Sequence, residues 1–329
     1  MTILHEMCMI TDDIWSIWYK PTTWPSSSHI YLIRDHDGLI MIDAGIGTDK
    51  VFNSVLGCLN EHGFDPSLIH TVLLTHAHTD HIGAISQLKK YTSPRILIPE
   101  LDVLEATDAK WQENYIMSSR VRSYYSEELT DWDLVRHFFE TCGDWLLDIN
   151  DLSQVIKDGD ELNVGQHMLI AIHVPGHDIG EMVYWEPEHK ILFAGDILRC
   201  SGTGLPWYAY TAGGVDAYLE SLDTIEKLKV ELALPSHGTM DKDFEDSISE
   251  TRNIILDQEK AILEALASGP KSFKELDRTL CSEKLWRLCP WVSSVAEAHL
   301  LKLKRQGMVR EEDGCKFVGQ PRSSPNLVK

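Results

Sequence analysis

The chain lacks any C-x-x-C pair, any apolar run approaching the ~20 residues that cross a bilayer, and any basic stretch leading into an apolar one at its first residues. Its seven cysteines, at 8, 58, 142, 200, 281, 289 and 315, are scattered. An odd, unpatterned set reads as reduced, mostly buried thiols rather than a disulfide framework. With no signal peptide or membrane span in view, we expect a cytoplasmic protein without membrane attachment. Positive charge is also scarce, with 30 Lys and Arg against 51 Asp and Glu, a formal net charge of −21. The deficit is uneven: residues 258–329 carry 13 basic and 9 acidic side chains, whereas residues 1–257 carry 17 and 42. A field that negative opposes a polyanionic partner over most of the surface. The length of 329 residues suggests about two domains, and 43% hydrophobic with 25% charged residues is ordinary for a soluble globular chain.

What the sequence does have is histidine concentrated in one place. Thr75-His76-Ala77-His78-Thr79-Asp80-His81 gathers three imidazoles and a carboxylate directly after the apolar run Thr71-Val72-Leu73-Leu74. Neutral imidazole is the commonest metal ligand, and borderline-soft ions such as zinc take His nitrogen and Asp oxygen readily. Gathered without a partner, these groups would be costly. The apolar run reads as a buried strand, so the cluster lies where a strand gives way to a loop, with a helix expected near 83–90.

The surrounding pattern alternates strand and helix. Residues 28–33 and 39–43 read as a hairpin turning at Asp35-His36-Asp37-Gly38, followed by a helix over 50–62 and a strand over 95–98. Strands return at 168–174, 182–185, 191–194 and 232–235, with a helix over 215–228 and another from about 246. This implies a layered α/β sandwich. Residues 101–150 differ, with Trp111, Tyr115, Met117, Tyr124, Tyr125, Trp132, Phe138, Phe139 and Trp145 among many charges. We read them as a helical insertion whose aromatics either pack onto the sheet or wall a pocket. The tail has its own signals: a stripe of Ile262, Leu263, Leu266 and Ala267, capping boxes at Ser272 and Ser294, and a hairpin about Asp313-Gly314. Three helices and a wing resemble a winged helix. We therefore divide the chain into 1–250, with the insertion inside it, and a winged-helix-like 251–329.

Three further candidates close predicted strands: His177 in Val174-Pro175-Gly176-His177, Asp196 in Phe193-Ala194-Gly195-Asp196, and His237 in Pro235-Ser236-His237-Gly238. Strand ends converge on one edge of a sheet. His76, His78 and His177 can then serve one ion, and Asp80, His81 and His237 a second, with Asp196 between them. Three protein ligands and an open position is the pattern of a catalytic rather than a structural zinc.

Asp43, the His76–His81 cluster, His177, Asp196 and His237, in that order, resemble the signature of the metallo-β-lactamase superfamily over about 20–245. The resemblance implies an α/β fold of four layers, an αββα sandwich with a two-metal site between the sheets. It also gives Asp43 the role of orienting the site from behind the ligands. Position 78 is His rather than the Glu of the diiron redox branch, which favours hydrolysis. Only 18 residues separate His177 from Asp196, too few for the inserted domain of the RNA-cleaving members. Gly195-Asp196-Ile197-Leu198 with Gly202 and Gly204 is closer to the glyoxalase II branch, while Arg199 stands where quorum-signal lactonases carry tyrosine, which speaks against that branch.

The expected cofactor is two Zn2+, with iron or manganese as alternatives. Two ions about 3.5–4 Å apart lower the pKa of a shared water and polarise a bound carbonyl or phosphoryl oxygen. Asp80 would orient the hydroxide and accept its proton. We expect hydrolysis of an ester, thioester or lactone in a small-molecule acyl substrate. Arg199, Trp207, Tyr208, Trp111 and Tyr115 are candidate substrate contacts. If the insertion forms the pocket, a chain cut after about 255 should retain turnover of a small ester or thioester, provided it stays folded and keeps its assembly state. His29, His167, His173 and His299 are expected to be ordinary imidazoles. A second reading is a phosphodiesterase or endoribonuclease whose tail binds RNA through Lys302, Lys304 and Arg305. A third is a non-catalytic metal-binding regulator. The wing's apolar positions would equally suit docking or a homodimer.

Overall fold

The structure is a computed structural model that describes residues 4–20, 26–117, 136–137, 139–198, 206–208, 210–238, 243–280, 294–312 and 316–320. Among these, the first sheet pairs its strands in chain order: β1 (His5–Met9), β2 (Ile14–Tyr19), β3 (Ile30–Asp35), β4 (Gly38–Ile42), β5 (Ile69–Leu73), β6 (Arg95–Pro99) and β7 (Leu152–Ile156). β1 to β4 run antiparallel and β4 to β7 parallel. The second sheet comprises β8 (Glu161–Val164), β9 (His167–His173), β10 (Met182–Glu186), β11 (Ile191–Gly195) and β12 (Leu232–Pro235), in the order β12-β11-β10-β9-β8. Only its β11–β12 pair is parallel.

Side-chain alternation decides the layering, because successive residues of a strand point to opposite faces. Tyr31, Ile33, Ile40 and Ile42 face Leu169, Ala171, Tyr184 and Phe193 in a core between the sheets. Their neighbours Ile30, Leu32, Leu39 and Met41 face outward, onto Phe52, Val55, Leu56 and Leu59 of α1 (Asp49–Glu61). On the far side, Val183, Trp185, Leu192 and Ala194 pack on Val215, Tyr218, Leu222 and Ile225 of α6 (Gly214–Ile225) and on Ile248 and Ile255 of α7 (Phe244–Ala267). Three apolar interfaces separate four layers, helix–sheet–sheet–helix, as the resemblance implies.

The helix expected near 83–90 is two single turns, α2 (Thr79–Ile82) and α3 (Ile85–Leu88). They are separate because the Ala84 N–H donates to Gly45 O at 3.0 Å instead of continuing a helical ladder. Gly83 between them lets the 142–143 segment come close, since a Cβ there would lie 2.6 Å from Cys142 O. The described part of the insertion holds α4 (Val103–Thr107) and α5 (Ala109–Met117), and its return segment docks on the site loops through Gly47 N–H to Cys142 O at 2.7 Å. Trp132, Tyr124, Tyr125 and Phe138 lie outside the described residues.

After α7 come β13 (Lys271–Ser272), α8 (Phe273–Leu280), α9 (Ser294–Arg305), β14 (Val309–Glu312) and β15 (Lys316–Gly319), the strands ordered β13-β15-β14. α7 passes through residue 250 without a break. Its first half belongs to the core with Val295 and Ala298, and Ile262 and Leu266 near its end belong to a separate core with Phe273, Leu276, Leu300 and Phe317. No helix among the described residues is long and apolar enough to cross a membrane. Cys58 and Cys142 are buried free thiols, and Cys8 is exposed and free.

Candidate metal centre

Five strand ends meet at one edge of the sandwich. The chain leaves β4 at Asp43, β5 at the histidine cluster, β9 at His177, β11 at Asp196 and β12 at His237. His76 Nε2 lies 2.9 Å from His78 Nδ1, which lies 3.0 Å from His177 Nε2. On the other side His237 Nε2 lies 3.1 Å from Asp80 Oδ2, and His81 Nε2 is 3.9 Å from the same oxygen. Asp196 Oδ2 sits 3.4 Å from both His177 Nε2 and His237 Nε2, between the two trios. All seven sequence candidates therefore converge, in the two groups expected.

The outer nitrogens explain why nitrogen atoms approach one another so closely. Thr75 Oγ1 donates to Asp43 Oδ2 at 2.9 Å, so its lone pair receives His76 Nδ1–H at 3.1 Å. His177 Nδ1–H donates to Trp207 O at 3.1 Å, and His78 Nε2 faces Asp178 Oδ2 at 3.5 Å. With each outer nitrogen occupied, the inner one carries a lone pair. Lone pairs on His76 and His177, each about 3 Å from that of His78, repel unless a cation lies among them. His81 Nε2 and Asp196 Oδ1 are buried with no hydrogen-bond partner, as ligands without their ion would be. The donor set fits a divalent metal.

Asp43 holds the second trio from behind. Its Oδ2 is 2.8 Å from His81 Nδ1, and its Oδ1 accepts the Thr75 N–H at 2.9 Å. Asp43 itself adopts a left-handed φ of 56°, uncommon for a residue with a side chain. Burial pulls His81 down, but Asp43, Asp80 and Asp196 outweigh it and push it up to about 10. His237 is also raised, since Asp196 and Asp80 overcome burial. The same negative field attracts a cation. Around the first trio, burial and neighbouring imidazoles hold His76 well below its usual range, and burial brings His177 down to about 4.

Several supporting residues were not singled out from the sequence. Glu181 Oε1 accepts the Asp196 N–H at 2.6 Å and fills the space over Gly195, whose φ is +51° and where a Cβ would lie 2.7 Å from that oxygen. Asp178 backs His78, and Asp102 and Glu105 beside it are pushed well up, first by burial and then by the Asp178 charge. Acidic residues one and four positions after His177 were the only signal available.

The candidate substrate contacts divide. Trp207 packs its ring 5.2 Å from His177 and 5.4 Å from His78, directly on the site. Tyr115 stacks on Trp111 at 4.7 Å and reaches the Asp178–Glu105 wall, where burial pushes its hydroxyl pKa up. Tyr208 does not fit the expected role: it is fully buried, and its hydroxyl donates to Gln258 Oε1 at 2.7 Å. Arg199 lies outside the described residues. His173 and His29 are structural, pairing with Ile179 O at 2.8 Å and Gly238 O at 2.7 Å.

Residues 23–237 match the metallo-beta-lactamase superfamily. The chain belongs to that superfamily. It is 27% identical over 225 residues to the acyl-coenzyme A thioesterase MBLAC2 of Gallus gallus, covering 65% of this chain and 73% of the relative. The human protein of that name is 24% identical over 219 residues, covering 64% and 72%. Hydroxyacylglutathione hydrolase of Bdellovibrio bacteriovorus is 25% identical over 157 residues, 48% of this chain and 44% of its own length. Among solved structures, the metallo-beta-lactamase family protein TTHA1429 of Thermus thermophilus superposes with a TM-score of 0.75 at 21% identity, covering 95% of this chain and all (100%) of that one. A beta-lactamase domain protein of Burkholderia ambifaria gives 0.77 at 16%, covering 96% and 94%. At these identities the superpositions speak for the fold.

Proposed function

We propose that the protein is a binuclear metal-dependent hydrolase that cleaves a small acyl ester or lactone, with acyl thioesters the favoured class. The observation that carries this reading is the placement of Asp196 Oδ2, 3.4 Å from one histidine of each trio. His76, His78 and His177 would hold one ion, Asp80, His81 and His237 the other, and Asp196 both. Zinc suits the donors, and iron or manganese would also be accepted. Bound there, the ions would polarise the acyl carbonyl and make a water acidic enough to attack at neutral pH. Asp80 would orient that water and take its proton. Asp43, Thr75, Asp178 and the Trp207 carbonyl fix the ring orientations. Trp207, Trp111 and Tyr115 supply apolar surface for the acyl chain. Relatives named as acyl-coenzyme A thioesterase and hydroxyacylglutathione hydrolase support the acyl class.

The tail's ion pairs argue against the nuclease reading. Lys302 pairs with Glu259, Lys304 with Glu311 and Arg305 with Asp216, so the three basic residues proposed for RNA already face carboxylates. We read residues 251–329 as a winged-helix-like domain that packs on the catalytic part. Thiol release from a panel of acyl-coenzyme A substrates tests the proposal. Turnover that a chelator removes, metal restores and Asp196→Ala abolishes is the expected result. Metal-replete protein that cleaves RNA but no ester, thioester or lactone would overturn it.

A further inference from the structure

A second group of metal-capable side chains lies at the other end of β10. That strand starts beside the candidate centre, where the Met182 N–H donates to Thr75 O at 2.9 Å. It ends at Glu186, about 13 Å further along an extended chain. There Glu186 meets His167, the first residue of β9, and His189 in the following turn. One ligand atom from each lies within 4.8 Å of the other two.

His167 and Glu186 have side chains only 2% and 1% exposed, whereas His189 is 50% exposed. His167 Nε2 lies 3.0 Å from Asp13 Oδ2, an acceptor, so Nε2 carries the proton and Nδ1 the lone pair. That buried Nδ1 has no hydrogen-bond partner. It points at Glu186 Oε1, 3.6 Å away, which is another acceptor. Glu186 Oε2 lies 3.2 Å from His189 Nδ1 and accepts the His189 N–H at 2.5 Å. Donors on a tetrahedral ion with ~2.1 Å bonds stand about 3.4 Å apart, and each imidazole lies near that distance from its own oxygen of the Glu186 carboxylate, at 3.2 Å for Oε2 and 3.6 Å for Oε1. A carboxylate behind the outer nitrogen of a ligating histidine is the usual support of a metal site.

We propose that His167 Nδ1, Glu186 and His189 Nδ1 form a binding site for a divalent transition-metal ion of the zinc class, separate from the hydrolytic centre. The ion takes two imidazoles and a carboxylate and leaves a fourth position for water on the exposed His189 side. It ties the ends of β9 and β10 together. Asp13, from the β1–β2 turn of the other sheet, holds the tautomer, so the site also links the two sheets at the edge opposite the hydrolytic centre.

The test is Zn2+ uptake by the full-length protein, followed by elemental analysis and thermal unfolding, for the wild type, His189→Ala and Asp13→Asn. His189 is half exposed, so its removal leaves the fold intact. The wild type should take up one equivalent more than His189→Ala and gain more in Tm on Zn2+ addition. Asp13→Asn should weaken that equivalent by about 10–100-fold. The hydrolysis rate of His189→Ala should match the wild type. Equal metal content and equal Tm gain in the wild type and His189→Ala would overturn the proposal and leave His167 as a packed histidine between Asp13 and Glu186. Failure of the hydrolytic centre to load would lower every protein alike, so the two outcomes are separable.

Discussion

Tyr208 and His299, far apart in sequence, meet through a 2.6 Å contact between the phenol oxygen and Nε2 in a fully buried pocket. Gln258 shares the same hydroxyl, and the Ser294 hydroxyl donates to Tyr208 O at 3.3 Å. Trp207, the next residue along, covers His78 and His177 and receives the His177 N–H through its carbonyl. The C-terminal region therefore holds, at one remove, a ligand of the candidate centre. A cut after about 255 would remove Gln258, Ser294 and His299 from Tyr208, so the expectation of retained turnover, which requires the shortened chain to stay folded, bears directly on these contacts.

Tyr208→Phe should accordingly lower stability by about 1–3 kcal/mol, because Gln258 and His299 lose a buried partner. It should also reduce kcat by a few-fold, with Trp207 and His177 less firmly placed. Denaturant unfolding and steady-state kinetics check both. A variant unchanged in each would show that the Trp207 loop is held by other contacts.

Asp43→Asn keeps the shape but replaces the carboxylate oxygen that receives the His81 Nδ1–H at 2.8 Å. Metal affinity should fall about 10–100-fold, read by competition against a chromophoric chelator. Affinity equal to the wild type would remove Asp43 from the orienting role.

Asp80→Ala should cost about 10²–10⁴-fold in kcat, the range of a general base, while His173→Ala should remain within about tenfold. His173 holds the Ile179 carbonyl at 2.8 Å and faces no candidate ligand. A dead, metal-depleted His173→Ala beside an active Asp80→Ala would reverse the assignment.

Stability should fall in mild acid through His5. Burial lowers its pKa from 6.5 to about 4, and neither ring nitrogen has a hydrogen-bond partner. The folded state thus binds this proton less readily than the unfolded chain. Its contribution is complete above about pH 6.5 and is lost as pH falls toward 4, by up to about 3 kcal/mol. His5→Leu should flatten the dependence of Tm on pH between 6.5 and 4. An equally steep fall in the variant would place the acid sensitivity elsewhere.

The residues that carry the site were legible because each closes a strand or sits in a dense histidine cluster. β3, β4, β10 and β11 were legible because both faces are buried and the strands read as apolar runs. β1 was not, since His5-Glu6-Met7-Cys8-Met9 mixes exposed and buried positions, and β7 and β8 carry polar residues at the sheet edges. Tyr208 looked like a substrate contact because it follows Asp196 closely, and only tertiary packing turns it toward α7 and α9. The meeting of His167 with Glu186 and His189 was not legible, because strand pairing that spacing alone does not reveal brings them together.

Anomalous diffraction at the zinc edge, from crystals of metal-reconstituted protein, tests the central claim most directly. The account predicts two peaks astride Asp196, one ringed by His76, His78 and His177 and the other by Asp80, His81 and His237. A single peak, or none, at that edge of the sandwich would contradict it.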